Sequence, residues 1–104
     1  MNQIKLSINN SNYAFIKENA ILQVIQSVIF KMNQKLSLAS AIELNFEEDN
    51  ENLSINLYLK LNIEKFSLAD IMQELTNRIN ERVKALIGKF PKNLSVSVLE
   101  INHV

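Results

Sequence analysis

"LSINLYLKLNIEKFSLADIMQELTNRINERVKALIG", Leu53 to Gly88, changes its apolar period part-way along, and that change decides the fold. Up to Leu61 the period is two. Leu53, Ile55, Leu57, Leu59 and Leu61 alternate with Ser54, Asn56, Tyr58 and Lys60, the pattern of a strand with one buried and one wet face. From Leu68 the period is helical: Leu68, Ile71, Met72, Leu75, Ile79, Val83 and Leu86 share a face, opposite Gln73, Asn77, Asn80, Glu81 and Lys84. Ser67 is placed to cap this helix, Asp70 completes a capping-box-like pattern three residues on, and Phe66 is spaced to staple against Ile71. Gly88 supplies the stop, and Pro91 prevents easy continuation.

On the N-terminal side, "IELNF" alternates Ile42, Leu44 and Phe46 against Glu43 and Asn45, and the polar "EEDNEN" turn joins it to the strand at Leu53. Two alternating runs with so short a connection are most simply an antiparallel pair. Before them, "KLSLASA" is a transition of undecided structure. From about Lys17 to Asn33, Ile21, Val24, Ile25, Val28 and Met32 recur at helical spacing, with Gln23, Ser27 and Lys31 on another face. Ala20, Leu22 and Ile29 widen this stripe. Placed at about 100° per residue, Phe30 falls nearly opposite the stripe's centre, so it is either covered by a neighbouring segment or exposed as an anchor for a partner. "QIKLSI" alternates Ile4, Leu6 and Ile8 as a half-buried strand, and Tyr13 to Ile16 forms a second short strand or the run-in to the helix. At the other end, Leu94, Val96 and Val98 mark one side of a strand. The adjacent Val98 and Leu99 break its parity, with Leu99 and Ile101 continuing on the other face, by a bulge or because both faces are covered. The order β-(β)-α-β-β-α-β indicates an α+β fold, with two helices packed on one face of a mostly antiparallel sheet.

The chain has 104 residues, enough for one core without staples, and it contains no cysteine. Disulfides, thiol nucleophiles and sulfur-rich metal sites are thereby excluded. Eleven basic residues balance eleven acidic ones, so no net field steers the molecule towards nucleic acid or anionic lipid, although local patches remain available. The N-terminal stretch lacks a signal-peptide pattern, and no apolar run reaches the ~20 residues of a membrane span. The expectation is a cytoplasmic protein.

Catalysis needs groups that transfer protons, attack or stabilise charge, held together by the fold. The inventory here is thin. His103 is the only histidine and sits beside the C-terminus. Glu47, Glu48, Asp49 and Glu51 supply carboxylates close in sequence but do not follow a calcium-loop pattern, and they read as a solvated turn. Gly88 is the only glycine, which leaves no glycine-rich phosphate loop. No catalytic, cofactor-binding or metal-binding residue is assigned. Glu74 and Arg78, four apart on the long helix, are spaced for a supporting ion pair. Lys84, Lys89 and Lys92 gather around the end of that helix, where they could meet phosphates or simply complement the helix dipole. Tyr58, beside Asn56 and Lys60 on the wet side of its strand, could contact a partner, stack a base or serve only in packing.

From Tyr13 to about Ile101 the chain resembles a divergent small member of the bacterial alkaline shock protein family. The likeness is carried by the Leu53–Gly88 stretch, with its alternating strand, short polar turn and long helix, and by the valine-rich strand after it. "YAFIKENAILQVIQSVI" resembles the family's opening strand and first helix. The family's glycine-bearing segment after that helix is replaced here by "FKMNQKLSLASA", and the glycine before the long helix by "IEKFS". The resemblance implies a single domain over residues 1–104, residues 1–12 being a strand or an extension. It implies a non-enzymatic interaction or scaffold protein of cell-envelope or stress homeostasis. Such proteins often act by homo-oligomerisation or through a protein partner near the cytoplasmic face of the membrane, so membrane association would be indirect. The surface residues that could serve such contacts are Phe30, Tyr58, Lys84, Lys89 and Lys92. A small nucleic-acid-binding module using the lysines is the alternative.

Overall fold

The computed structural model describes residues 2–63 and 67–103, the last by its backbone. Its elements are β1 (Gln3–Asn9), β2 (Asn12–Lys17), α1 (Glu18–Lys31), β3 (Leu36–Leu38), β4 (Glu43–Phe46), β5 (Leu53–Ile63), α2 (Leu68–Ile87) and β6 (Asn93–His103). The fold is α+β, with two helices and a mostly antiparallel set of strand pairs.

β5 is the spine of the four-stranded sheet. β3 and β4 pair antiparallel with its two halves, Leu36 opposite Leu61 and Leu38 opposite Leu59, then Leu44 opposite Ile55 and Phe46 opposite Leu53. The register slips by two residues between them, and a slip of two preserves the face on which each side chain lies. Leu36, Leu38, Leu44 and Phe46 therefore all turn to the core, and "LSLASAIELNF" acts as one edge strand interrupted near Ala39–Ile42. The undecided "KLSLASA" is resolved this way: its first residues are β3, and the Ala39 amide donates to the Tyr58 carbonyl at 2.7 Å.

On the other side of β5 lies β6, and this pair is parallel, the strands being joined through α2. Leu94, Val96 and Val98 stand opposite Ile55, Leu57 and Leu59. The register then shifts: Lys60 pairs with Glu100 and Leu61 with Ile101, leaving Leu99 as the extra residue of a bulge. The bulge explanation of the parity break is the one realised. It also corrects one expectation, because Ile101 returns to the face of Leu61 and does not continue on that of Leu99.

Leu53, Ile55, Leu57, Leu59 and Leu61 are completely buried, while Ser54, Asn56, Tyr58 and Lys60 lie on the wet face. From α2 the core receives Ile71, Leu75, Ile79, Val83 and Ile87 at a strict four-residue spacing, so Ile87 takes the last buried position and Leu86 is half-buried. From α1 it receives Ile21, Ile25, Val28 and Ile29. Among the described residues no polar side chain is buried. The Ser67 hydroxyl accepts the Asp70 amide at 3.0 Å, capping α2 as its spacing requires. Gly88 closes the helix in the left-handed region at φ 82°, with its amide donating to the Lys84 carbonyl at 2.9 Å. The expected staple by Phe66 lies outside the described residues.

β1 and β2 form a separate antiparallel hairpin, so the stretch at Tyr13 is a strand and Gln3–Asn9 is its partner. The hairpin is tied to the body. Ile4 is fully buried, the Lys5 amide donates to the Asn50 carbonyl at 2.8 Å, and Leu6 lies against Gly88. The Glu18 amide reaches the Asn2 carbonyl at 3.2 Å where β2 passes directly into α1.

Candidate interaction surfaces

Among the described residues Phe30 is the most exposed of the large apolar side chains, at 74%. The residues that share its side of α1, Gln23 and Gln26, are polar and exposed, as is Asn33 just beyond the helix. Geometry thus selects the exposed alternative for this ring.

Tyr58 sits on the opposite layer, on the polar face of β5. Its hydroxyl donates to Glu43 Oε1 on the neighbouring strand at 2.7 Å. That hydrogen bond, helped by the charge of the carboxylate, holds the phenol above its ordinary pKa. The residue is a cross-strand link, and the adjacent Lys60–Glu100 pair at 3.5 Å continues the same polar surface. A carboxylate beside the ring disfavours an approaching phosphate.

The three lysines gather around the C-terminal end of α2 in different roles. Lys84 lies over the Phe90 ring, 4.5 Å from its centroid, within cation–π range. Lys92 faces Glu47 across 3.5 Å, so one of the four loop carboxylates neutralises it. Lys89 is exposed just beyond the helix cap. The Asn52 side chain donates to the Phe90 carbonyl at 3.1 Å, and the Lys92 amide to the Leu53 carbonyl at 2.9 Å, which fixes this connection against the start of β5. Phe30, Tyr58 and the lysine cluster therefore occupy three surfaces and do not assemble into one site.

The β4–β5 turn is ordered by hydrogen bonds among its own residues. Asn50, at φ 58°, donates its amide to the Glu47 carbonyl, and the Glu51 amide donates to Asp49 Oδ1 at 3.0 Å. No three histidine, cysteine, aspartate or glutamate side chains converge among the described residues. The side chain of His103 lies outside them.

Two surfaces escaped the sequence reading. One is a groove of about 380 Å³ between the helices, floored by Val28 and walled by Lys31, Asn77, Arg78, Glu81 and Arg82. Its Arg78 is held by Glu74 at 2.9 Å, the ion pair that the four-residue spacing anticipates, and Lys35 reaches the same carboxylate at 2.8 Å. These cations keep Glu74 below its ordinary pKa, the Lys35 hydrogen bond being the main cause. The other surface is the outer face of the hairpin. There Gln3, Lys5 and Ser7 stand opposite Lys17, Phe15 and Tyr13. Tyr13 and Phe15 are about half exposed, and Lys5 and Lys17 lie 4.1 and 5.9 Å from the centroids of Tyr13 and Phe15 respectively. Its signal was present as Tyr13, Phe15 and Lys17 alternating with Ala14 and Ile16, and it becomes legible only once that stretch is known to be a strand.

No family model, no curated protein and no solved structure matches this chain. No helix of the described residues is long and apolar enough to cross a membrane.

Proposed function

We propose that the chain is a non-enzymatic interaction or scaffold protein that associates with itself or with a protein partner, in the service of cell-envelope or stress homeostasis. The observation that carries the reading is Phe30, a ring 74% exposed on an otherwise polar helical face. An aromatic left in water gains most from desolvation by a partner, and such residues concentrate binding energy at interfaces. The cellular setting, in the cytoplasm near the inner face of the membrane, rests on the resemblance of the strand–turn–helix stretch to the alkaline shock protein pattern.

Sedimentation over a micromolar concentration range and affinity capture from native cells test the reading together. The expected result is a self-associated species or a specific co-purifying protein that Phe30→Asp abolishes while the circular dichroism spectrum is unchanged. A monomer throughout, with the same captured proteins for wild type and variant, would sink it. The second reading, nucleic-acid binding through Lys84, Lys89 and Lys92, is favoured by the ammonium beside an exposed ring at Lys84 and Phe90. It is weakened by the pairing of Lys92 with Glu47. Fluorescence anisotropy at low salt with a Lys84→Gln, Lys89→Gln, Lys92→Gln variant tests it, since phosphate contacts are strongest there.

A further inference from the structure

We infer that the outer face of the β1–β2 hairpin is a platform for single-stranded nucleic acid, with Tyr13 and Phe15 stacking bases and Lys5 and Lys17 meeting the phosphates between them. This surface is distinct from Phe30 and from the lysines at the end of α2, and the inference stands independently of the scaffold reading.

Strand pairing puts Lys5 opposite Phe15, Ser7 opposite Tyr13 and Gln3 opposite Lys17, so the two rings and the two cations share one face. The opposite face, with Ile4, Leu6, Ala14 and Ile16, turns inward, Ile4 being fully buried. Packing of the hairpin is satisfied by that inner face. The half-exposed rings, at 48% and 51%, are surplus to it. Each ring has an ammonium beside it, Lys5 at 4.1 Å from the Tyr13 centroid and Lys17 at 5.9 Å from that of Phe15. Lys17 also donates to Gln3 Oε1, so its head is already positioned along the strand. A long lysine side chain can swing from ring to phosphate, exchanging a cation–π contact for an ion pair as a base takes its place on the ring.

The charge of this surface selects the same ligand. No acidic residue occurs in the first seventeen positions, whose only charges are Lys5 and Lys17. Glu18, the first acid, is engaged by the Asn2 amide group at 3.1 Å. The acidic β4–β5 turn meets β1 along its backbone edge, through the Lys5 amide and Asn50 carbonyl, which directs a bound strand to the β2 side where Tyr13, Phe15 and Lys17 follow one another.

Spacing separates single strands from duplex. Residues two apart on a strand are about 6.6 Å apart, roughly twice the 3.4 Å rise per nucleotide of a duplex. Successive bases reach both rings only when the strand is unstacked, the state in which aromatic platforms read nucleic acid. A lipid surface is the competing partner for aromatic and lysine side chains together. The turn at the tip, Asn9, Asn10, Ser11 and Asn12, is entirely polar and exposed, which disfavours insertion into a bilayer.

The test uses the full chain with fluorescein-labelled dT10 and U10, and, in a separate arm, vesicles of phosphatidylcholine with 30% phosphatidylserine. Anisotropy is expected to show binding of the oligonucleotides at low salt, with log K falling against log salt at a slope of about −1.4 for two phosphate contacts and about −0.7 for Lys17→Gln. Tyr13→Ala or Phe15→Ala should each weaken binding by roughly 5- to 150-fold. The chain contains no tryptophan, so Phe15→Trp provides a single reporter whose emission a stacked base quenches even if an alanine variant disturbs the hairpin. Phe30→Asp should bind as wild type does, which separates this inference from the scaffold reading. Three results would overturn it: no oligonucleotide binding at low salt, binding without quenching of the Phe15→Trp reporter, or binding to the vesicles alone.

Discussion

At the scale of single residues, the two ends of α2 are the most exacting positions. Gly88 adopts φ 82°, and a methyl at its α-carbon would stand 3.3 Å from the Leu6 side chain. The left-handed region costs a residue with a β-carbon about 1–2 kcal/mol, and Leu6 must also give way slightly. Gly88→Ala should therefore lower unfolding free energy by about 1–2 kcal/mol in a urea titration. Ser67→Ala removes the acceptor for the Asp70 amide and should cost about 1 kcal/mol by the same measurement. Glu74 gives a pH-dependent counterpart. Because Lys35 and Arg78 lower its pKa in the folded chain, the ionised carboxylate stabilises the fold above its ordinary value of 4.5. That contribution is lost as pH falls below 4.5 and through the depressed folded value. Both side chains of the Lys35–Glu74 pair are partly exposed, which limits the contribution to under about 1 kcal/mol. The stability difference between wild type and Glu74→Gln should be present at pH 6 and shrink towards pH 3.

At the scale of elements, β5 concentrates the energetics, since it is paired on both edges and fully buried on one face. Leu57→Ala, at the centre of that face, should cost about 2–5 kcal/mol through lost burial and the cavity left behind. β6 responds differently. Leu99 is the unpaired residue between the Val98–Leu59 and Glu100–Lys60 steps and is 61% exposed, so deleting it joins two registers that already match. The deletion should change stability by less than about 1 kcal/mol, with the strand content of the circular dichroism spectrum retained. β5 and α2 were readable from sequence because each has a single wet face and therefore a clean period. β3 was not, because three residues are too few to show an alternation and the slip at Ala39–Ile42 interrupts it. The parallel course of β6 was hidden for another reason: direction is set by the crossover through α2 and leaves no mark on the strand's own pattern. Phe30 was legible as misplaced on its helix, whereas the hairpin platform required the pairing of two strands before four separate residues became one face.

At the scale of the whole molecule, shape decides what self-association through Phe30 would look like. The extents are 54 × 20 × 18 Å, and the Cα radius of gyration is 15.0 Å, against about 13 Å for a compact chain of this length. Phe30 points away from the buried side of α1, in the last turn of that helix. Two copies joined through it lie either side by side or end to end. Setting two such bodies about 20 Å apart raises the radius of gyration from 15.0 Å to about 18 Å, whereas joining them end to end gives about 31 Å. Small-angle scattering over rising concentration should move from the monomer value towards one of these for wild type, which reads out the arrangement, and stay at the monomer value for Phe30→Asp. That variant should unfold within about 0.5 kcal/mol of wild type, because an exposed side chain takes little core contact with it. A rise of the same size in Phe30→Asp would remove Phe30 from the interface. The chain's zero net charge makes the discrimination cleaner, since no overall repulsion opposes either arrangement and added salt should alter the Phe30 contact little.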